Sequence, residues 1–374
     1  MKILVTGSKG FIGRNLVHAL RNKGFYDIFE YDADSCQEFL ECCCLECDFV
    51  FHLAGVNRPQ HLSEYEHGNR DFTKRLVSFL EKGNHAPVAF ASSIQAELEN
   101  PYGRSKREGE EILRQYAKDG AEVYIYRFPN VFGKWCRPNY NSAVATFCYN
   151  AANGRPITVN DADRTMHLVY IDDVTDELLS CLDGTPNQRG GFCYVGTSYT
   201  EKLTVIADMI QSFSRCTADL RVPDQSDELA RKLYSTYLSY LPENKLKYML
   251  SMHSDDRGSF TEFLKSDDRG QVSVNITKPH VVKGNHWHNS KHEIFLVVSG
   301  TGLIRLRKLD DEKLIEIRVS GAQLEPVVIP PGYVHSIENI GKEDLVTLMW
   351  ANEVFDESRP DTYYMNQCIE AVSF

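Results

Sequence analysis

A tyrosine and a lysine stand four residues apart in the sequence, at Tyr102 and Lys106. On a helix this spacing places both side chains on one face. A phenol with a pKa of about 10 is a poor acid at neutral pH, and a neighbouring ammonium lowers that pKa. Tyr102 is therefore predicted to donate a proton to the oxygen of a carbonyl being reduced, with Lys106 as its activator. Two serines, Ser92 and Ser93, close the preceding apolar run. We choose Ser93 as the hydroxyl that binds the same oxygen, and Ser92 stays the alternative.

A second group of residues capable of chemistry lies near the end of the sequence. His286 and His288 are separated by one residue, Glu293 follows, and His335 comes after a Pro-Pro-Gly turn. In an extended strand, residues two apart face the same side, so the first two histidines converge on one point. Three imidazoles and one carboxylate suit zinc, nickel, iron or manganese. We predict one divalent metal ion, preferably zinc, held by His286, His288, Glu293 and His335.

A glycine-rich turn stands at the start of the sequence, between a strand-like run and a helical run. Residues 6–13 read Thr-Gly-Ser-Lys-Gly-Phe-Ile-Gly. Glycines there allow a tight turn, close approach of backbone amides to a pyrophosphate, and a helix N terminus directed at the anion. The predicted dinucleotide contacts in this turn are Gly7, Lys9, Gly10, Phe11, Ile12 and Gly13.

Two residues near this turn favour different nicotinamide cofactors. Asp32 stands where a carboxylate would accept hydrogen bonds from the ribose 2′-hydroxyl of NAD. Lys9 favours the opposite choice, because an ammonium there can pair with the 2′-phosphate of NADP. The residues leave both choices open. We predict NADPH, with NADH as the alternative.

Two kinds of folded unit must position these residues. Up to about residue 240, short β-rich runs alternate with longer amphipathic segments. This alternation predicts a parallel sheet covered by helices on both faces. After about residue 250, closely spaced short strands with turn signals indicate an all-β sandwich or barrel. We place a doubly wound α/β domain at residues 1–243 and an all-β domain at residues 244–374.

Composition limits the range of partners. The formal net charge of -11 argues against nucleic acid and anionic membranes, which normally select surplus Lys and Arg. An anionic substrate must therefore be met by local positive charge. No apolar stretch reaches the length of a membrane span, and the first residues lack a signal-peptide pattern. We expect a cytoplasmic protein without a nucleic-acid or membrane partner.

About residues 1–240 resemble the extended short-chain dehydrogenase/reductase family. Besides the glycine turn and the Tyr-Lys pair, the resemblance includes residues 52–55 (His-Leu-Ala-Gly), 127–130 (Arg-Phe-Pro-Asn) and 170–173 (Tyr-Ile-Asp-Asp). It implies a Rossmann-type sheet, catalysis by Ser, Tyr and Lys, and cofactor contacts with Ala54 and Lys106. It also implies that the segment from Asn130 onward cradles a nucleotide-sugar, with Lys134 and Trp135 as candidate contacts. An ordinary surface loop is the other interpretation of the Lys134–Arg137 stretch.

The C-terminal histidine pattern matches both motifs of the cupin family, except that the first glycine of the first motif is displaced. Residues 256–262 and the approach to His286 are also similar to the keto-sugar 3,5-epimerases, which are cupins. In those enzymes the histidine at the position of His286 is the catalytic base, and no metal is needed. Here His286 is a predicted ligand, so the base and the role of the metal, structural or catalytic, stay open. A homodimer is expected from the family alone.

The order of the two domains resembles a family of bifunctional capsular polysaccharide enzymes. Similar segments are residues 132–136, 233–240 and 284–288. The resemblance implies a UDP-linked keto-sugar: the cupin inverts C3 of UDP-2-acetamido-2,6-dideoxy-4-keto-hexose, and the reductase then reduces the C4 ketone with NADPH to UDP-2-acetamido-2,6-dideoxy-L-talose. Chemistry requires this order, because the C3 proton is acidic only while C4 is a ketone. Two alternatives are a single-function keto-sugar reductase whose cupin only dimerises or binds sugar, and a redox-neutral NAD-dependent sugar epimerase or dehydratase.

Overall fold

The structure, a computed structural model, describes residues 1–365 and divides the chain into two compact units. The first unit contains Met1–Gln211 and Lys232–Pro242. The second contains Ser212–Arg231 and the described residues from Glu243 on. The sequence placed residues 212–231 in the first domain, whereas the structure groups them with the second.

The first unit contains ten strands among the described residues, most of them paired in parallel. They are β1 (Ile3–Thr6), β2 (Ile28–Tyr31), β3 (Phe49–His52), β4 (Val88–Ser93), β5 (Val123–Phe128), β6 (Asn130–Phe132), β7 (Thr165–Tyr170), β8 (Gln188–Arg189), β9 (Phe192–Cys193) and β10 (Tyr199–Lys202). The larger sheet has the order β2-β1-β3-β4-β5-β9-β8, and only the β8–β9 pair is antiparallel. A smaller sheet has the order β10-β7-β6, and its β10–β7 pair is antiparallel.

Helices alternate with these strands. They are α1 (Phe11–Asn22), α2 (Gln37–Glu46), α3 (Ser63–Tyr65), α4 (Phe72–Leu80), α5 (Pro101–Lys118), α6 (Ala143–Ala152), α7 (Ile171–Ser180), α8 (Leu203–Cys216) and α9 (Glu228–Leu238). A π-helical turn covers Glu66–Asp71, and short 3-10 turns cover Ile94–Glu97, Cys181–Asp183 and Glu243–Lys245. Across residues 1–365, no helix has both the length and the apolar character needed to cross a membrane.

The central strands are buried on both faces. Ile3 and Val5 of β1 pack with Leu16 of α1, whereas Leu4 between them packs into a second cluster with Leu76 of α4. Successive side chains of a strand point to opposite faces, so the two clusters are the two sides of one sheet. This confirms the predicted Rossmann-type architecture.

The second unit is formed by antiparallel strands. They are β11 (Met252–Asp255), β12 (Gly258–Ser266), β13 (Gly270–Thr277), β14 (Val282–Trp287), β15 (Glu293–Ser299), β16 (Thr301–Lys308), β17 (Leu314–Ser320), β18 (Val327–Ile329), β19 (Tyr333–Asn339), β20 (Leu345–Ala351) and β21 (Tyr363–Tyr364). One sheet has the order β11-β12-β13-β20-β15-β18 and the other β17-β16-β19-β14-β21. Alternate residues such as Phe295, Val297, Ile304 and Ile337 form its core. The predicted all-β domain is confirmed.

Candidate functional site

The glycine turn packs so closely on neighbouring backbone that it leaves no room for side chains at Gly7 and Gly13. A Cβ on Gly7, which has a φ of +69°, would lie 2.8 Å from backbone atoms of Ala54. A Cβ on Gly13 would lie 2.0 Å from the carbonyl oxygen of Gly7. Gly10 precedes α1, and no side chain caps that helix N terminus. The turn therefore fits a pyrophosphate held by backbone amides.

The turn opens on a cavity of about 1040 Å³ within the first unit. Most of the nucleotide, sugar and catalytic residues predicted from the sequence line this cavity: Gly7, Lys9, Gly10, Phe11, Ile12, Gly13, Ser93, Tyr102, Lys106, Asn130 and Trp135. Asp32, Ala54 and Lys134 are not among its lining residues.

These three residues have other contacts. The Asp32 carboxylate accepts hydrogen bonds from the backbone N–H of Lys9, at 2.7 Å, and of Ala33, at 2.8 Å. Ala54 packs its backbone against Gly7, which explains the need for glycine there. The Lys134 ammonium is paired with the Asp172 carboxylate. This partner lies 38 residues away in the sequence, and Lys134 as a substrate contact stays a prediction.

The first turn of α5 brings Tyr102 to the end of β4. The Asn100 side chain caps the helix by accepting a hydrogen bond from Gly103 N–H at 2.8 Å. A Cβ on Gly103 would lie 2.1 Å from the Gln95 carbonyl oxygen, so this helical turn packs directly on the 3-10 turn that follows Ser93. Close backbone packing thus places the tyrosine beside the serine.

The two candidate serines have different partners. The Ser93 hydroxyl is near enough to Tyr102 for hydrogen bonding to lower the pKa of the phenol. Ser92 is buried, and its hydroxyl donates to the Glu110 carboxylate at 2.5 Å. The geometry therefore favours Ser93 as the hydroxyl that shares a ligand oxygen with Tyr102.

Lys106 is buried below this pair. Its ammonium donates to the carbonyl oxygen of Ala91 at 2.8 Å, and burial lowers its pKa to about 8 although Glu110 raises it. The sequence argument expected Lys106 to lower the pKa of Tyr102. Instead, burial raises the pKa of Tyr102, and only its hydrogen bond with Ser93 opposes that effect.

Further cations line the cavity, and of these the sequence argument covered only Arg137, as part of the Lys134–Arg137 stretch. Arg14, Arg137 and Arg164 are among its lining residues, together with His167. The Arg14 guanidinium also lies 5.2 Å from the ring centre of Trp135. Arg14 and Arg164 are far apart in the chain and follow no common spacing, so the sequence argument missed them, although the position of Arg14 directly after Gly13 could have indicated it.

The second unit brings together the four predicted metal ligands. Atoms of His286, His288, Glu293 and His335 able to bind a metal all lie within 4.8 Å of one another. Strands β14 and β19 pair His286 with His335 across a bulge, and β14 ends one residue before His288. The N–H of Gly332, in the turn before β19, donates to the His288 carbonyl oxygen at 2.9 Å.

This cluster fits a cation. Glu293 Oε2 lies 3.4 Å from His288 Nε2 and 3.2 Å from His335 Nε2. All three atoms are buried without a hydrogen-bond partner among the described residues. Burial, together with His335, lowers the pKa of His286 to about 3, so its imidazole is neutral as metal binding requires. Buried donor atoms that converge in this way are the usual arrangement of a metal site.

The family models match each unit separately. The NAD dependent epimerase/dehydratase family model matches residues 3–189, and the polysaccharide biosynthesis C-terminal domain model matches residues 253–363. Together with the parallel sheet and its glycine turn, the match defines the class: the chain belongs to the NAD dependent epimerase/dehydratase family.

Relatives match almost the whole chain. It is 43% identical over 365 residues to the UDP-2-acetamido-2,6-beta-L-arabino-hexul-4-ose reductase of Pseudomonas aeruginosa, covering 97% of this chain and 98% of that protein. The crystal structure of the capsular polysaccharide assembling protein CapF from Staphylococcus aureus superimposes with a TM-score of 0.93 and 48% identity, covering 98% of this chain and 100% of that one.

A more distant structure shares only the fold. UDP-glucuronic acid 4-epimerase from Bacillus cereus, in complex with NAD, matches with a TM-score of 0.55 at 19% identity, covering 64% of this chain and 96% of that one.

Proposed function

We propose that this chain is a bifunctional nucleotide-sugar enzyme of surface polysaccharide synthesis. The second unit inverts C3 of a UDP-2-acetamido-2,6-dideoxy-4-keto-hexose, and the first unit then reduces the C4 ketone to give UDP-2-acetamido-2,6-dideoxy-L-talose. The names of the two full-length relatives, a reductase of a UDP-linked hexul-4-ose and a capsular polysaccharide assembling protein, support this proposal.

The observation that carries the reductase is the position of Ser93, Tyr102 and Lys106 in the same cavity as the glycine turn. Ser93 and Tyr102 bind the ketone oxygen, and Tyr102 donates its proton to that oxygen as the alkoxide forms. The Lys106 ammonium is the cation assigned to stabilise the phenolate once substrate and cofactor are bound. Before they bind, it is not among the groups that lower the pKa of Tyr102. A bound NADPH supplies the hydride to C4.

Substrate binding follows from the remaining lining residues. The UDP diphosphate is an anion, and Arg14, Arg137 and Arg164 supply guanidinium groups that form charge-assisted hydrogen bonds with phosphate oxygens. Trp135 offers a partly exposed aromatic face, and Asn130 offers an amide. We assign these residues to the nucleotide-sugar, because a chain with a net charge of -11 attracts an anion only through local cations.

We assign the nicotinamide cofactor to the glycine turn, with NADPH as the cofactor and NADH as the competitor. Lys9 is the cation for the 2′-phosphate, although its ammonium is paired with Asp34 before the cofactor binds. The Asp32 carboxylate accepts hydrogen bonds from the turn itself, and these bonds satisfy part of the acceptor capacity that a ribose hydroxyl would use.

In the second unit, His286, His288, Glu293 and His335 hold one divalent ion, for which we propose zinc. Such an ion supplies positive charge, either to hold the fold or to lower the energy of negative charge that develops on the C4 oxygen. Removal of the C3 proton requires a base, and the four ligands are committed to the ion. Epimerisation must precede reduction, since C3 loses its acidity once C4 is an alcohol.

Proton NMR of a UDP-4-keto-6-deoxy-N-acetylhexosamine in D₂O tests both activities. Exchange at C3 without cofactor, followed by NADPH-dependent loss of the ketone, is the expected result. Reduction without exchange would reduce the chain to a single-function keto-sugar reductase. Tightly retained NAD without net consumption of reduced cofactor would instead indicate a redox-neutral epimerase or dehydratase.

We also propose a homodimer, on the basis of the cupin resemblance of the second unit. Light scattering coupled to gel filtration should give twice the mass of one chain. A single-chain mass at micromolar concentration would contradict the homodimer without affecting either proposed activity.

A further inference from the structure

A short segment, Pro360–Met365, lies along β14, the strand that contains His286 and ends one residue before His288. Its strand β21 pairs antiparallel with β14, with His286 opposite Tyr364 and Trp287 opposite Tyr363. The Met365 N–H donates to the Asn285 carbonyl oxygen at 2.9 Å. We call Pro360–Met365 the terminal segment. Its contacts concentrate on the residues around the metal cluster.

One contact of the terminal segment reaches a proposed ligand directly. His288 Nδ1 lies 2.6 Å from the backbone carbonyl oxygen of Asp361. A carbonyl oxygen can only accept, so Nδ1 must carry the proton and donate it. In a neutral imidazole the lone pair then resides on Nε2. This is the atom that lies 3.4 Å from Glu293 Oε2 and has no hydrogen-bond partner within residues 1–365.

The Asp361 side chain fixes the position of this carbonyl. Its carboxylate accepts the backbone N–H groups of Asn289, Ser290 and Lys291 at 3.0, 2.9 and 2.9 Å. These residues form the turn that follows His288. Asp361 has a φ of +38°, in the left-handed region that a residue with a Cβ rarely adopts, so its contacts must offset this backbone strain.

A buried lysine, Lys291, also binds the terminal segment. The Lys291 side chain is 8% exposed, and its ammonium donates to Thr362 Oγ1 at 3.0 Å. Aromatic contacts continue along the segment, with the rings of Trp287 and Tyr363 stacked at 4.8 Å. The terminal segment therefore contacts residues that precede and follow His288 in the sequence, through aromatic contacts with Trp287 and polar contacts with Lys291.

We propose that Asp361 is a positioning residue of the metal site. Its carboxylate ties the terminal segment to the turn at 289–291, and its carbonyl sets the tautomer and ring orientation of His288. A hydrogen bond to the second ring nitrogen of a metal-binding histidine raises metal affinity in this way. The inference rests on the proposed metal site and adds that tight metal binding requires the docked terminal segment.

The test compares Zn²⁺ affinity of full-length variants after removal of metal with a chelator. Asp361→Ala should weaken Zn²⁺ binding on the order of 10- to 100-fold. Asp361→Asn should be intermediate, because its amide has one acceptor oxygen in place of two. Asp356→Ala is the matched control: this aspartate, also near the end of the chain, accepts hydrogen bonds from Ser358, so Zn²⁺ affinity should not change.

Nitrogen-15 NMR of the His288 ring in the zinc-loaded wild-type protein gives a second readout that does not depend on a variant folding. A protonated Nδ1 and a metal-bound Nε2 are expected. Metal on Nδ1, or an Asp361→Ala protein with wild-type affinity, would overturn the role of Asp361. If the wild-type chain itself bound no Zn²⁺, the proposed metal site would fail.

Discussion

The two candidate sites differ in whether their buried ionisable groups have hydrogen-bond partners. In the first unit, the Lys106 ammonium donates a hydrogen bond to a carbonyl oxygen, and the Glu110 carboxylate accepts hydrogen bonds from Ser92 and Arg127. In the described part of the second unit, His288 Nε2, His335 Nε2 and Glu293 Oε2 are buried without such partners. An unsatisfied buried polar group costs roughly 1–3 kcal/mol. The network around Lys106 and Glu110 is therefore paired within the protein itself, whereas the histidine cluster has buried atoms that a bound ion would satisfy.

The largest expected effect separates the two sites chemically. Tyr102→Phe removes the proton donor and should lower the rate of ketone reduction on the order of 10²–10⁴-fold. Exchange at C3, followed by NMR in D₂O, should continue at the wild-type rate. Tyr65→Phe is the control, because this ring lies 5.7 Å from the Tyr102 ring and its hydroxyl donates only to the Asn57 carbonyl oxygen among the contacts described. Loss of both activities in Tyr102→Phe would mean that the two sites are not separate.

The next effect concerns stability. His288→Ala should release the metal, and metal removal should lower the unfolding temperature of the second unit. A ligand present at about 1,000 times its Kd contributes about 4 kcal/mol, which disappears with the site. Metal content by mass spectrometry and calorimetry measure the two quantities. His292→Ala serves as control, since its ring packs against Trp350. Unchanged metal content in His288→Ala would remove His288 from the ligand set.

Sequence patterns predicted those features of the structure that depend on local backbone geometry. The alternation of strands and helices predicted the parallel sheet, because each strand such as β1 must bury both of its faces. The spacing of Tyr102 and Lys106 predicted a shared helix face, and the spacing of the histidines predicted their convergence. These features depend on residues close in sequence or on recurring spacings.

Long-range partners could not be predicted in the same way. The ion pair between Lys134 and Asp172, for example, is brought together only by the tertiary fold. Asp361 contacts His288 across 73 residues through its backbone carbonyl, which no side-chain pattern reveals. The pKa of Tyr102 depends on its burial, and burial is decided by packing of the whole unit.

A smaller effect tests the role of the buried Glu110 carboxylate, which pairs with Arg127 and acts on the pKa of Lys106. Glu110→Gln leaves the Arg127 guanidinium without its buried carboxylate, which should lower the free energy of unfolding by about 3 kcal/mol. Because Glu110 raises the pKa of Lys106, this pKa should fall below about 8 in the variant. The ammonium form exists below that pKa, so reduction should decline at a lower pH than in the wild type.

The pH profile of NADPH-dependent reduction and chemical denaturation measure these two consequences of Glu110→Gln. Glu108→Gln is the matched control on α5, because the Glu108 side chain is 31% exposed and lies 3.8 Å from Arg70. A stable Glu110→Gln protein with the wild-type pH profile would show that Lys106 does not depend on this carboxylate.

The smallest effect concerns the choice of cofactor. The Lys9 side chain is 65% exposed, so solvent screens its charge, and its pairing with a 2′-phosphate contributes about 1 kcal/mol at most. Lys9→Ala should therefore raise the KM for NADPH by less than about tenfold and leave the KM for NADH unchanged. Asp34→Asn should act in the opposite direction, because it frees the Lys9 ammonium from its partner. If neither variant changes the ratio of the two KM values, Lys9 does not meet the phosphate, and a wild-type preference for NADH would then assign the ribose to Asp32.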